Sequence, residues 1–78
     1  MTTTHISIGL RVKTVSDLSY QMREGDVSRA SFKARQPNKE GSILRMENGG
    51  TFLRGLVWYI KHDDGTVGAY FHREFNPV

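Results

Sequence analysis

Three histidines and two adjacent aspartates are the side chains of this 78-residue sequence best suited to metal binding or proton transfer. They are His5, His62, His72, Asp63 and Asp64. Their positions match neither an HxH nor an HExxH spacing, and the chain has no cysteine that would complete a zinc site. The Asp63-Asp64-Gly65 run is also explained as a turn, because Asp and Gly favour turn conformations. We therefore expect no catalytic site and no metal site.

Motifs that would specify an enzymatic reaction are missing from the sequence. It contains no GxGxxG fingerprint, no Walker-type phosphate loop and no GxSxG nucleophile motif. The absence of cysteine removes thiolate nucleophiles and disulfides together. A chain of this length buries only about 60% of its unfolded surface, which leaves little volume for an enclosed active site. We expect a protein that is not an enzyme and has no cofactor.

Basic residues form the first candidate binding surface. Residues 1–39 carry seven basic and three acidic side chains, whereas residues 40–78 carry four and five, so the positive excess lies in the first half. If segments 6–13 and 28–35 are neighbouring strands, alternation places five cations on one side of the sheet. They are Arg11, Lys13, Arg29, Lys33 and Arg35. Such a face would bind phosphates; the alternative is the solvated polar face of an antiparallel sheet.

Aromatic residues near the end of the chain form the second candidate. In the alternation of two expected strands, Trp58 and Phe71 fall on one side and Tyr59 and Tyr70 on the other. The two tyrosines beside Lys61 would make a platform on which the bases of a single strand stack. Core packing is the alternative, because cross-strand aromatic pairs are ordinary stabilisers of sheets. Under the binding interpretation, Tyr59, Lys61 and Tyr70 join the five cations in the site.

Strands are indicated where apolar and polar residues alternate. Residues 6–13 carry Ile6, Ile8, Leu10 and Val12 at every second position, which predicts a half-buried strand. Residues 28–35 alternate in the same way around Phe32, which predicts a second strand.

The segment 17–36 also has a helical alternative. Ser16 or Asp17 would cap a short helix that stops at Gly25, or the same residues would form a strand that turns at Glu24-Gly25-Asp26. Asp26 would cap another helix. A helix that begins at Asp26 leaves Phe32 outside its apolar stripe, which favours the strand.

Turn signals predict a meander over the second half of the chain. Asn48-Gly49 is typical of a two-residue hairpin turn and would join strands at 43–47 and 51–62. The run from Asp63 to Gly65 then separates the second of these from a strand at 66–75. With a two-residue loop, Trp58 faces Phe71, Ile60 faces Ala69 and Tyr59 faces Tyr70. A three-residue loop shifts this pairing by one position.

The expected fold class is therefore mainly β, in one domain over residues 1–78. The chain would form a small antiparallel sheet or barrel of five to six short strands with a C-terminal meander. Its strands lie near 6–13, 28–35, 43–47, 51–62 and 66–75. The alternative is an α+β fold with one short helix in 17–36.

The predicted function is that of a small basic module that binds nucleic acid through its cationic sheet face. In size, charge and lack of catalytic motifs, the chain also resembles the small accessory proteins of phages and mobile elements, anti-CRISPR inhibitors included. That likeness identifies no residue, but it implies an inhibitor or adaptor that binds a host protein or nucleoprotein complex. Large apolar groups at Phe52, Tyr70 and Phe75 would anchor such an interface. A homodimer is a further expectation, because an open sheet can bury an edge against a second copy.

The same sequence predicts no contact with membranes. The longest unbroken apolar run covers residues 56–60, far short of the ~20 residues that a membrane helix requires. The first residues include no basic segment of the kind that precedes a signal sequence. A cytoplasmic location is the expectation.

Overall fold

The computed structural model describes residues 7–18, 22, 25–48 and 56–78. They contain five strands, one short α-helix and a 3-10 turn over His72–Glu74. In chain order these are β1 (Arg11–Thr14), α1 (Arg29–Lys33), β2 (Glu40–Asn48), β3 (Leu56–His62), β4 (Val67–Tyr70) and β5 (Phe75–Pro77). All pairings are antiparallel, in the order β4-β3-β2-β1-β5. The mainly β fold class is thus confirmed, together with its alternative of one short helix within 17–36.

Strand β1 is shorter than the alternation over 6–13 predicts. A turn at Ser7–Leu10 precedes it, in which the Leu10 N–H donates to the Ser7 carbonyl at 3.1 Å and Gly9 has a φ of +89°. Ile8 lies in this turn and is 66% exposed, whereas Val12 of β1 is fully buried. Residues 1–6 lie outside the described part of the chain. The strand therefore begins only after a backbone conformation that glycine adopts readily.

The predicted strand over 28–35 is wrong, because residues 29–33 form α1. The hydroxyl of Ser28 accepts a hydrogen bond from the Ser31 N–H at 3.2 Å and so caps the helix. Phe32 was the residue that favoured a strand, yet it packs from the helix against Ala69 and its neighbours. A helix of about one and a half turns is too short to show the spacing of apolar residues that is typical of a helix. The alternation of apolar and polar residues in this segment is therefore a coincidence.

The connection between β2 and β3 differs from the expected hairpin. Asn48 is the last residue of β2 and pairs with Leu56, so Asn48 belongs to the ladder and not to a two-residue turn. Strand β2 also begins at Glu40, earlier than the predicted 43–47. The part of the predicted strand 51–62 before Leu56 falls outside the described residues, and the rest is confirmed as β3.

The turn between β3 and β4 contains three residues. The His62 N–H donates to the Thr66 carbonyl at 2.8 Å, which closes a loop of Asp63, Asp64 and Gly65. Gly65 has a φ of +91°, the left-handed conformation that a three-residue hairpin loop requires. Trp58 consequently pairs with Tyr70, one position away from the two-residue expectation. Strand β4 ends at Tyr70, so the predicted strand 66–75 divides into β4, the 3-10 turn and the start of β5.

This register gives the sheet two buried faces. The side that carries Val57, Tyr59 and Ala69 is called the helix face, because Phe32 of α1 packs there together with Met22 and Val27. The other side, the opposite face, buries a larger cluster. Its members are Val12, Ile43, Trp58, Ile60, Tyr70 and Phe75. The expected aromatic pairs are therefore exchanged, because the one-position shift moves Tyr70 to the side of Trp58.

The sheet curls over its opposite face. Strands β4 and β5 occupy its two ends but are separated in sequence by only four residues, 71–74. The curl brings Phe75 of β5 edge-on to Trp58 of β3, with ring centroids 6.2 Å apart. In the described part of the chain no ladder joins β4 to β5, so the sheet remains open and does not close into a barrel.

Candidate nucleic-acid interface

Three of the predicted site residues, Arg11, Lys13 and Lys61, lie on the exposed part of the helix face, which is called its open half. Arg11 is opposite Ser42 on β2, and Ser42 is opposite Lys61 on β3, so the three form one cross-strand row. Lys13 lies opposite Glu40 in the next row. Side chains that face each other directly have Cβ atoms roughly 5 Å apart, which makes this a compact surface. The cations Arg11, Lys13 and Lys61 are all exposed.

Arg11 is engaged by two carboxylates on this surface. Its guanidinium donates to both carboxylate oxygens of Asp63, at 2.8 and 3.0 Å, and to Oε1 of Glu40 at 3.3 Å. The hydrogen bond from Arg11 is the main reason that the pKa of Asp63 lies below its usual value, and the same contact raises the pKa of Arg11. The positive charge of Arg11 is therefore offset locally, and the row presents Lys61 rather than Arg11 to an anion.

Two further predicted cations lie on the helix and not on the sheet. Arg29 and Lys33 are exposed residues of α1, four positions apart, so they are neighbours on the helix surface. Their expected place on a strand beside 6–13 is wrong, since residues 29–33 are helical. They form a second exposed pair of positive charges, supplied by another element than the row on the sheet.

Arg35 does not belong to any exposed surface. Its side chain is only 8% exposed and forms an ion pair with Glu74, with Nη2 2.6 Å from Oε2. Its Nη1 also donates to the Ala69 carbonyl of the edge strand β4 at 2.8 Å. The prediction that Arg35 projects into solvent with the other four cations is wrong, because it holds the chain after α1 against the sheet.

The two predicted stacking residues are buried. Tyr59 is 7% exposed, and the Arg45 guanidinium lies 4.0 Å from the centroid of its ring. Tyr70 is fully buried on the opposite face, and its hydroxyl has polar partners inside the protein. The expected platform of Tyr59, Lys61 and Tyr70 does not form, since only Lys61 reaches solvent. The alternative of core packing describes both tyrosines.

The Tyr70 hydroxyl lies in a buried chain of hydrogen bonds with His62. Nδ1 of His62 is 3.1 Å from the Glu40 carbonyl, an acceptor, so Nδ1 carries the proton. Nε2 then accepts from the Tyr70 hydroxyl at 2.6 Å, and that hydroxyl accepts from the Gln36 N–H at 2.7 Å. Burial raises the pKa of Tyr70 to about 12. Both ring nitrogens of His62 are occupied, so this histidine has no free lone pair for a metal.

The other candidates for metal or acid–base chemistry are dispersed. His72 is exposed at the start of the 3-10 turn, and His5 lies outside the described residues. Asp64 accepts from the hydroxyl and the N–H of Thr66, at 2.6 and 2.9 Å, and these bonds lower its pKa. Within the ranges that the structure describes, no three metal-ligating side chains gather.

Ion pairing divides the described cations into two sets. Arg11, Arg35 and Arg45 each have a carboxylate within ion-pair distance. Six others are exposed, and among the described residues no carboxylate lies within ion-pair distance of them. They are Lys13, Arg29, Lys33, Lys39, Lys61 and Arg73. The site prediction omitted Lys39, which lies between two predicted strands, and Arg73, which lies in the predicted strand 66–75 but was assigned to neither candidate surface.

A wide, shallow groove of about 610 Å³ borders Lys13. Its lining includes Asn38 before β2 and Asn76 of β5, and Asn76 is the neighbour of Lys13 across the β1–β5 ladder. Amide N–H groups beside a lysine are donors suited to phosphate oxygens. Glu40 also lines the groove, so it carries both signs of charge beside the row of Arg11 and Lys61.

The anchors expected for a protein partner are mostly internal. Phe75 is 4% exposed and Tyr70 is fully buried, so neither can contact another molecule. Phe52 lies outside the described residues. The prediction that Tyr70 and Phe75 anchor an interface is wrong, because the curl of the sheet places both in the core of the opposite face.

Comparisons with known protein families, with curated proteins and with solved structures found no match to this chain. No helix in the described part of the chain is long and apolar enough to cross a membrane.

Proposed function

We propose that this chain is a non-enzymatic module that binds nucleic acid through exposed lysine and arginine side chains that have no carboxylate partner among the described residues. The observation that carries the proposal is the division of the cations by ion pairing. The contacts to phosphate come from Lys13 and Lys61 on the sheet and from Arg29 and Lys33 on α1. This set replaces the uniform cationic sheet face that the alternation predicts.

Unpaired cations suit phosphates better than paired ones. Arg11 and Arg45 already share their charge with carboxylates at 2.8 to 2.9 Å, so binding a phosphate there would require those contacts to be given up. Lys13 and Lys61 incur no such loss, and their binding releases the counterions condensed on the nucleic acid.

The buried tyrosines also limit the kind of recognition. Without Tyr59 and Tyr70 at the surface, these residues offer no platform for stacked bases. Lysine contacts phosphate as a point charge and carries no information about base sequence. We therefore expect binding that depends strongly on salt and weakly on sequence.

The test is fluorescence anisotropy with a labelled duplex and a labelled single strand over a series of salt concentrations. Four phosphate contacts on duplex DNA predict a slope of log K against log salt of about −3 to −4. Lys61→Glu and Lys13→Glu should each weaken binding at low salt. Arg73 is also exposed without an ion pair among the described residues, but it lies on the 3-10 turn and on neither the sheet nor α1. Arg73→Glu therefore controls for the change in net charge and should weaken binding less. No binding at low salt, or equal losses in all three variants, contradicts the proposal.

A second candidate is a small inhibitor or adaptor, of the phage type, that binds a host protein. The mixture of Arg11, Glu40 and Asp63 on the open half of the helix face favours it, because both signs of charge suit a protein surface better than a polyanion. Arg11→Glu would then abolish binding to a purified partner, because it removes the contacts of Arg11 with Glu40 and Asp63. Co-purification after nuclease treatment separates the two candidates, since only a protein partner survives it.

A further inference from the structure

Strand β2 extends well beyond its pairing with β1. The β1 ladder reaches Ser42, and two further bonds join Ile43 to Gly9 and Leu10, at 2.7 and 2.9 Å. Leu44 has no partner in the β2–β3 ladder, because the register shifts between Ile43 and Arg45. From Arg45 to Asn48, the strand is paired with β3 on one side only. No other strand among the described residues pairs with this second edge.

The backbone groups of Met46 point out of this edge. The His62 N–H donates across to the Thr66 carbonyl, so even-numbered residues of β3 direct their backbone groups toward β4 and odd-numbered ones toward β2. Val57 and Tyr59 therefore bond to their β2 partners, Glu47 and Arg45. Met46 lies between those two partners, so its N–H and C=O face away from β3.

Apolar side chains surround the same edge. Met46 is 44% exposed, and Leu44 and Leu56 are each 39% exposed. An uncovered strand edge with apolar neighbours is a template for pairing with another chain, and proteins usually blunt such edges with charges, prolines or covering elements. Arg45 and Glu47 are the charges at this edge, and they have opposite signs.

We propose that a second copy of this chain pairs with β2 along this edge in an antiparallel arrangement, with a two-fold axis at Met46. Met46 then faces Met46 of the second copy and exchanges both backbone hydrogen bonds with it. Arg45 faces Glu47 of the second copy, and Glu47 faces its Arg45. The two sheets join into one continuous sheet.

The positions of Arg45 and Glu47 on β2 favour a second copy as the partner and determine the register of the pairing. Arg45 and Glu47 stand one position on either side of Met46, so only a two-fold axis at that residue puts opposite charges across from each other. An axis at Arg45 or at Glu47 would bring like charges together, which destabilises a strand pair. Both side chains lie on the helix face, where they already form an ion pair at 2.9 Å, so two copies would make a four-charge network. An unrelated strand has no such built-in complementarity.

The interface is independent of the nucleic-acid proposal, because none of its residues is a proposed phosphate contact. A two-fold axis perpendicular to the sheet nevertheless puts both helix faces on the same side. Lys13 and Lys61 of the two copies would then face one ligand together.

The test measures mass by analytical ultracentrifugation over a range of protein concentrations. The wild-type chain should approach twice its 8.9 kDa mass as concentration rises. Arg45→Glu and Glu47→Arg should each weaken the dimer roughly tenfold or more, because each places like charges opposite at two symmetric positions. The double variant with both substitutions should dimerise again. Arg73→Glu is the matched charge control and should dimerise like the wild type.

A second experiment tests the backbone pairing at Met46 directly, without relying on side-chain contacts. Met46→Pro removes the outward N–H but no bond of the β2–β3 ladder, so it should give a folded monomer by circular dichroism. In the wild-type chain, the Met46 amide should become protected from hydrogen exchange as concentration rises. A chain that stays monomeric, or a dimer indifferent to the single charge reversals, overturns the proposal. The chain could also stay monomeric and show protection of the Met46 amide only when an extended peptide is added. That result would show that the edge binds another strand, and it would overturn a second copy as its partner.

Discussion

Arg35 and Glu74 form a two-pronged ion pair that is almost closed off from solvent. Nη1 and Nη2 of the arginine lie 2.9 and 2.6 Å from the two carboxylate oxygens, and the side chains are 8% and 7% exposed. Oε1 of Glu74 also accepts from the Phe71 N–H at 2.9 Å. One contact therefore joins the segment after α1 to the turn that leads from β4 to β5.

Breaking this pair from either side should destabilise the fold strongly. Arg35→Met or Glu74→Gln leaves a buried group without its partner, and we expect each to lower the free energy of unfolding by about 3–5 kcal/mol. The double variant should cost less than the sum, because it leaves no unpaired charge. Arg45→Gln, which breaks an exposed pair, should cost about 0–1 kcal/mol. Urea unfolding of the four variants measures this, and strict additivity would show that the pair is not coupled.

Removing the Tyr70 hydroxyl should also destabilise the protein. Tyr70→Phe leaves the buried Nε2 of His62 without a donor and the partly buried Gln36 N–H without its acceptor. Buried polar groups without partners cost about 1–3 kcal/mol, and we expect a loss in this range. Thermal unfolding gives the stability, and NMR of the His62 ring reports whether the proton leaves Nδ1. An unchanged melting temperature would mean that water replaces the hydroxyl.

Stability should fall in strongly alkaline solution because of the same residue. The pKa of Tyr70 is raised to about 12 by burial, whereas an unfolded tyrosine ionises near 10. The stabilisation from keeping Tyr70 neutral is present in full below pH 10 and is lost as the pH rises toward 12. Unfolding free energies between pH 9 and 12 should therefore decline more steeply for the wild type than for Tyr70→Phe. Parallel pH profiles for the two proteins would contradict this assignment.

Removing Arg11 should raise the pKa of one aspartate and spare its neighbour. The hydrogen bond from Arg11 is the largest cause of the lowered pKa of Asp63. The pKa of Asp64 is lowered chiefly by Thr66 instead. In Arg11→Gln the pKa of Asp63 should rise toward its usual value, while that of Asp64 stays low. NMR titration of the two carboxyl groups gives both results in one sample, and a rise at Asp64 of equal size would refute the pairing.

Local patterns in the sequence predict most of the fold. Alternation and turn residues indicate where β3 and β4 lie, because both depend only on residues that are close together in the sequence. Register is harder, because Gly65 takes a positive φ in a two-residue loop as well as in the three-residue loop, so the turn residues alone do not decide between them. The single inserted residue puts Tyr70 on the face of Trp58, in the place predicted for Phe71.

The candidate site is less predictable because partners of charges are distant in sequence. Asp63 is 52 positions from Arg11, and Glu74 is 39 positions from Arg35. Alternation can place a cation on one side of a strand, but it cannot reveal a carboxylate that folds onto it. For α1, the Ser28 cap was a local signal for a helix, and the coincidental alternation around Phe32 concealed it.

The pairing of β1 with β5 has a mechanical consequence. Thr14 is opposite Phe75 and Val12 is opposite Pro77, and the Val78 N–H donates to the Arg11 carbonyl at 3.0 Å. The beginning of β1 thus lies beside the end of β5, with hydrogen bonds perpendicular to both strands. A pull applied at these two points loads the bonds one after another, as in opening a zipper, and not all at once in shear. A force that draws these two points apart would therefore peel β5 from β1 and expose the aromatic core behind Phe75.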